Sequence, residues 1–176
     1  MKVSALLFSG SGVILTAVSL IIVGCSEPQT SSRDTETAIA QAQAGECLDC
    51  ELSGVDFAGQ NLKEAKLNRS DLRNAKLAGA DLGNALMDSV DLQNADLSNA
   101  NLVQTALTSA NLTGANFKGA DLSGAYLRGA NLADTDFTDA NLTGANLANT
   151  NLADAVLDGA TLDDALLPED FKAPGL

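Results

Sequence analysis

Few side chains in this sequence could do chemistry, and the most conspicuous are three cysteines, Cys25, Cys47 and Cys50. Cys47 and Cys50 form a Cys-x-x-Cys pair, a spacing found in disulfides, in redox sites and in zinc sites. The chain contains no His, so the commonest metal ligand and general base is absent. With three cysteines and no His, the four Cys or His ligands of a structural zinc site cannot be assembled from one chain. We expect a structural role, either as a disulfide or as two buried thiols, with no metal and no cofactor.

Other catalytic arrangements are equally hard to build from this sequence. A redox-active Cys-x-x-Cys needs a βαβ context, and no such pattern surrounds Cys47. The sequence has no nucleophile paired with a base, no phosphate-binding loop and no pair of carboxylates outside a repeating pattern. We therefore predict that the chain is not an enzyme.

The charge of the chain limits its partners. The formal net charge is -13, which makes nucleic acid a poor partner because that affinity rests on Lys and Arg neutralising phosphates. The charge is uneven, because no basic residue lies between Arg128 and Lys172 whereas acids are frequent there. A solvated surface is the default explanation of the acidic end, and a docking surface is the alternative. A basic cluster near the start consists of Lys63, Lys66, Arg69, Arg73 and Lys76.

The amino-terminal segment predicts export. Residues 1–24 combine Lys2 with an apolar run, which is the pattern of a signal peptide. Its end, Ile22-Val23-Gly24-Cys25, resembles the lipobox of bacterial lipoproteins, in which the cysteine carries the lipid. The resemblance implies lipidation of Cys25, a flexible tether over 25–34, and a membrane-anchored lipoprotein facing the periplasm or the cell surface. Ser26 suggests the outer membrane. The alternative is an uncleaved membrane anchor with an incidental cysteine.

The rest of the chain is organised around a repeat over residues 50–169. A large apolar residue recurs at every fifth position from 52 to 167, and 20 of these 24 centres are Leu. Two residues before each centre stands a small residue, Ala in 16 units. A helix or a straight strand cannot keep a period of five on one side. A chain that turns a corner every five residues can, and the Gly, Asn or Asp ending most units suits such corners.

This pattern, clearest in the run from Ala110 to Gly124, resembles the pentapeptide-repeat family. The resemblance implies an all-β fold, a right-handed quadrilateral β-helix with four units per coil and about six coils. Residues 35–49 would supply a short capping helix and the loop that leads into the repeat, with Asp34 as N-cap and Gly45 as the stop. Residues 170–176 would form a thin C-terminal tail, which leaves open a homodimer formed through that end.

Grouping the centres by twenty predicts four faces. Phe117 and Phe137 fall in one column and should stack in adjacent coils. The residue before each centre should point outward, and it is usually Asp or Asn. One column contains no acid, and within it Leu86, Ala106 and Tyr126 would form an apolar stripe. That stripe is a candidate interaction surface, although neutral variation at exposed sites is the alternative. The whole column is Lys66, Leu86, Ala106, Tyr126, Asn146 and Leu166.

Two functions follow from these features. The first is a non-catalytic, lipid-anchored scaffold or protein-interaction rod of the cell envelope, bound to the membrane through its anchor and to a protein partner through its surface. The second comes from the family resemblance, since some pentapeptide-repeat proteins imitate the acidic rod of DNA and bind DNA gyrase. Acidity and rod shape favour the second function. The export signal favours the first, because gyrase is cytoplasmic.

Overall fold

The computed structural model describes residues 32–172, with side chains described from Thr37 onward. Helix α1 spans Ser32–Gln43, and a single 3₁₀ turn, η1, spans Leu152–Asp154. Between them the chain repeats one extended residue and one turn every five residues. Within the described part of the chain, no helix has the length and apolar character needed to cross a membrane.

Parallel backbone bridges join nearly every outward residue to the residue twenty positions later. They run from Glu46 with Lys66 to Asn146 with Leu166. Because twenty residues are four units of five, each coil has four sides, as the sequence predicts. The bridging starts at Glu46, so the first unit lies five residues before the predicted start of the repeat. Six steps of about 4.8 Å from Glu46 to Leu166 give a rod about 29 Å long.

The coils are held together by backbone hydrogen bonds of one recurring kind. Leu82 N–H donates to the Asn101 carbonyl at 2.7 Å, and Asn101 N–H donates to the Ala80 carbonyl at 2.9 Å. At each corner the backbone enters the left-handed region, as at Asn94 with φ 56° and Gly114 with φ 67°. A Cβ on Gly114 would lie 2.6 Å from Asn94 Oδ1 in the coil below. A side chain at that corner would require Asn94 to move, so glycine fits there with the least disturbance.

The core consists of the centres and the small residues stacked along the rod axis. In the middle coils these side chains are almost completely buried. Phe117 and Phe137 stack with ring centroids 5.2 Å apart and an interplanar angle of 24°, which confirms the predicted pair. Four buried polar residues at small positions, Ser70, Thr105, Thr135 and Thr150, satisfy their hydroxyl groups inside the core. Thr105 Oγ1 donates to the Leu82 carbonyl at 2.8 Å, and Thr135 Oγ1 makes the equivalent bond.

Helix α1 packs against the start of the rod through Ala38 and Ala42, which belong to the buried cluster. The predicted N-cap is wrong, because α1 begins at Ser32 and Asp34 lies inside the helix. Gly45 has φ 82° and stands where the helix ends, as predicted. The helix covers only part of this end, and Gln60, expected to point inward, is exposed.

The other end of the rod is less regular. The bridge expected between Asn131 and Asn151 is replaced by a side-chain bond, in which Leu132 N–H donates to Asn151 Oδ1 at 2.7 Å. The 3₁₀ turn η1 follows directly. In the last coil Leu162 is half-buried and Leu167 is 38 % exposed, because no further coil covers them. The prediction that every centre is fully inward therefore fails at this end.

The middle coils are more deeply buried than the last coil, and this difference predicts how much each contributes to stability. Leu142 and Leu162 occupy the same column in adjacent coils, but Leu142 is fully buried. Leu142→Ala should lower the free energy of unfolding by about 2–5 kcal/mol, the range for buried leucines. Leu162→Ala should lower it clearly less, because water already reaches that site. Chemical denaturation of the two variants tests this. Equal losses of unfolding free energy would contradict the conclusion that the last coil is partly exposed to water.

Candidate interaction face

Three of the four sides of the rod carry ladders of Asp and Asn with a structural role. In most of their units the side-chain oxygen accepts the backbone N–H two residues later, as Asp91 Oδ1 does from Gln93 at 3.1 Å. Asn side chains also reach the coil below, where Asn116 Nδ2 donates to Asp96 Oδ1 at 3.0 Å. These residues close the corners of the coil. Their frequency therefore follows from the fold.

The fourth side carries the residues that the sequence singled out. Bridges connect Leu86 to Ala106 and Ala106 to Tyr126, so the three lie directly above one another. Leu86 is 41 % and Tyr126 51 % exposed, and Ala106 between them is half-buried. We call these three residues the apolar stripe. The surrounding apolar face is the ladder Glu46, Lys66, Leu86, Ala106, Tyr126, Asn146 and Leu166.

The apolar face lacks the usual corner acceptor over most of its length, and neighbouring coils partly replace it. Asp88 N–H donates to Asn68 Oδ1 at 2.9 Å, and Thr108 N–H donates to Asp88 Oδ1 at 3.0 Å. Both acceptors lie at the corner of the preceding coil. Sequence reasoning missed them, although polar residues at positions 68 and 88, each one coil below a donor, are a readable signal.

The apolar face has different chemistry at its two ends. At its start Lys66 Nζ lies 2.5 Å from Glu46 Oε1, and Arg69 makes two hydrogen bonds to Asp49. The Arg69 guanidinium holds the pKa of the Asp49 carboxyl below its ordinary value. At the other end Leu166 is 60 % exposed, which extends the apolar character beyond the predicted stripe.

A second charged contact lies on the neighbouring side of the first coils. Arg73 donates to both carboxylate oxygens of Asp71, at 2.8 Å from Nε and 2.5 Å from Nη2. The contact lowers the pKa of the Asp71 carboxyl. The basic cluster is thus interleaved with acids of its own and of the adjacent coil.

The two cysteines of the Cys-x-x-Cys pair meet at the start of the rod. Cys47 and Cys50 form a disulfide with their Cα atoms 5.6 Å apart. Cys47 occupies a buried centre position, and Cys50 is half-buried. Cys47 Sγ lies 3.3 Å from the Ala38 carbonyl oxygen of α1. The disulfide therefore lies beneath the helix. Cys25, the predicted lipidation site, is outside the described residues.

The far end presents an open recess of about 590 Å³. Its lining includes Leu152, Val156, Leu157 and Phe171. Phe171 packs against the core, as expected for the tail. The recess is the surface on which the predicted end-to-end homodimer would form.

Family comparison agrees with the repeat. A sequence profile described as pentapeptide repeats matches residues 50–88, 91–129 and 130–167. Such repeats form a right-handed quadrilateral β-helix, with four units per coil as the bridges require. None of the curated protein sequences matches this chain.

Several solved structures resemble the chain. A pentapeptide repeat protein from the Arabidopsis thaliana thylakoid lumen is 38 % identical, and the match, with a TM-score of 0.44, covers 57 % of this chain and 66 % of that protein. Rfr23 from the cyanobacterium Cyanothece is 30 % identical, with a TM-score of 0.32 and coverage of 75 % and 98 %. QnrB1, a plasmid-mediated fluoroquinolone resistance protein, is 17 % identical, with a TM-score of 0.42 and coverage of 72 % and 75 %.

The disulfide yields a direct prediction. Reduction should lower the free energy of unfolding by about 2 kcal/mol, the loop-entropy value for so short a loop. Chemical denaturation with and without reductant measures the difference. The double variant Cys47→Ala with Cys50→Ala should not respond to reductant. Non-reducing mass spectrometry that found both thiols free in the exported protein would contradict the assignment.

Proposed function

Because the chain belongs to the pentapeptide-repeat family, we propose that it is a lipid-anchored protein-interaction rod of the cell envelope. Proteins of this family are generally non-catalytic structural or interaction proteins. We propose that this chain likewise catalyses no reaction. Its rod would present a protein-binding surface close to a membrane.

The apolar stripe is the observation that carries the interaction role. Leu86 and Tyr126 are large, exposed and aligned, on the one side of the rod whose outward residues include no acid after Glu46. Elsewhere an outward Asp or Asn closes its own corner. Replacing it with an apolar residue removes that bond, which the preceding coil restores only in part. It also exposes apolar surface to water, and both changes are unfavourable for an isolated rod. A bound protein surface would offset these losses.

The anchor rests on Cys25 and the segment before it. Six residues separate Cys25 from the start of α1 at Ser32. Fully extended, this link spans at most about 25 Å. Lipidation of Cys25 would therefore keep the whole rod close to the membrane surface, where a partner in the same membrane meets it at raised local concentration.

We assign α1 and the Cys47–Cys50 disulfide the role of an N-terminal cap. Solenoids need such caps because each coil is covered only by its neighbours. Ala38 and Ala42 support the assignment, since both are buried against the first coil. The disulfide constrains the loop that joins the helix to the rod.

The alternative function is a DNA-mimicking rod that binds a topoisomerase such as DNA gyrase. The net charge of -13 and the Asp and Asn ladders on three sides favour it. It requires the protein to be in the cytoplasm. The apolar stripe has no counterpart in the phosphate surface of DNA.

Localisation separates the two functions. We expect the precursor to accumulate when globomycin inhibits lipoprotein signal peptidase, because cleavage before Cys25 depends on lipidation. Immunoblotting of membrane and soluble fractions measures this, with Cys25→Ser as the control that escapes normal processing. A cytosolic protein unaffected by globomycin would reject the anchored rod and favour the topoisomerase ligand.

Placing the usual outward residue of the repeat at two positions of the apolar stripe tests the interaction role. Leu86→Asn with Tyr126→Asn introduces the residue type that the repeat uses at these positions, so the melting temperature should not fall. Capture of the partner from solubilised membranes should weaken at least about tenfold, since an anchoring side chain is typically worth more than 1 kcal/mol.

The matched control is Asp96→Asn with Asp136→Asn on the opposite side of the rod. It places the same residue type at equivalent outward positions and should leave capture unchanged. Equal capture by the wild type and the stripe variant would contradict the interaction role. A fall in melting temperature for the stripe variant would instead show that the stripe stabilises the rod.

A further inference from the structure

We infer that the protein bound by the apolar face is a second copy of this chain, packed side by side and antiparallel. The inference rests on the proposed interaction role of the face and names its partner. It starts from self-complementarity, because an isologous dimer needs one surface that fits itself when rotated by 180°. The apolar face has that property in shape at its two middle rungs and in charge at its two ends.

The shape argument concerns the middle of the face. We number the rungs of the face from Lys66 as rung one to Leu166 as rung six, following the bridges. A two-fold axis midway along these rungs lies between Ala106 and Tyr126. The rotation then places the Tyr126 ring of each copy over the Ala106 methyl of the other. A large exposed side chain thus faces a small one, which permits close approach of the two faces.

The charge argument concerns the two ends of the face. Rung one and the corner residues on either side of it carry three basic side chains and one acid. Rung six and its flanking corner residues carry three acids and no base. Antiparallel packing sets each basic rung against the acidic rung of the partner copy, whereas parallel packing would set acid against acid. The charged residues are Lys63, Glu64, Lys66 and Arg69 at rung one, and Asp163, Asp164 and Glu169 at rung six.

The acids that already pair with the basic end do not oppose this arrangement. Glu46 and Asp49 contact Lys66 and Arg69 from the partial coil below rung one. In the antiparallel pair that partial coil extends past the last rung of the partner copy. Both ion pairs are exposed, so Lys66 and Arg69 can also interact with carboxylates across the interface.

The size of the face sets the strength of the pair. Rungs one to six span about 24 Å, from five steps of about 4.8 Å. A contact on one narrow side of such a rod is smaller than the roughly 800 Å² per partner of a standard stable interface. The pair is therefore weak and sensitive to salt, and anchoring of both copies in one membrane promotes it. The two tethers leave from opposite ends, so the paired rods lie along the membrane surface.

Site-directed cross-linking tests the arrangement. Ser89 and Asn149 are exposed corner residues beside rungs two and five, which face each other in the antiparallel pair. The full chain is prepared anchored in membrane vesicles with either Ser89→Cys or Asn149→Cys, so that Cys25 is blocked by its lipid and the native disulfide stays intact. With a short bis-maleimide, a mixture of the two variants should give a cross-linked dimer on a denaturing gel. Each variant alone should give none, because its own thiols are three coils apart along the pair.

Two further variants complete the test. Adding Leu86→Asn and Tyr126→Asn to both cross-linking variants should abolish the dimer, and high salt should reduce it. Cross-linking of each variant with itself would show parallel packing and overturn the inference. Absence of any cross-linked dimer, together with stripe-dependent capture of a different protein, would overturn the inference while leaving the interaction role intact. Absence of both would reject the interaction role as well.

Discussion

The hydrogen-bonded register between successive coils is the constraint on which the rest of this structure depends. Nearly every outward residue from Lys66 onward pairs with the preceding coil, where its backbone N–H and carbonyl bond to the two neighbours of the residue twenty positions earlier. Because every corner is five residues from the next, one inserted residue would shift all later side chains out of column. The buried centres, the small residues and the left-handed corners all follow from this register. A conventional core built on aromatic residues is unnecessary, because flat coils of Leu and Ala fill the interior.

The same constraint decides which surface residues carry information about function. Asp91 and Asn116 represent a large class whose side chains close the corner of their own unit. Their presence is explained by folding, and so is much of the acidity of the rod. Leu86 and Tyr126 stand at equivalent positions without that role. The apolar face, rather than the acidic ladders, is therefore where a specific interaction finds physical support.

The two ends of this solenoid are covered in different ways. Ala38 and Ala42 of α1 cover part of the first coil, and the disulfide lies beneath the helix. At the far end the regular pairing gives way to η1, and Leu167 remains exposed. This difference arises because each coil is covered only by its neighbours, so a terminal coil needs a partner of another kind. The two ends of the rod therefore differ in how well their core is covered as well as in their charge.

The period of five determined that the chain turns a corner at every unit. With four units per coil, which the family resemblance implied, the period also determined the stacked Phe117 and Phe137 and the alignment of the apolar stripe. It could do so because a strict repeat converts sequence separation directly into position along and around the rod. The ends were decided only in three dimensions. Three features depend on which coil is missing above or below: the start of α1, the exposure of Gln60 and the break at η1. A periodic pattern contains no information about a missing coil. The corner acceptors Asn68 and Asp88 likewise act on residues twenty positions away, so their role becomes visible only when adjacent coils are brought into contact.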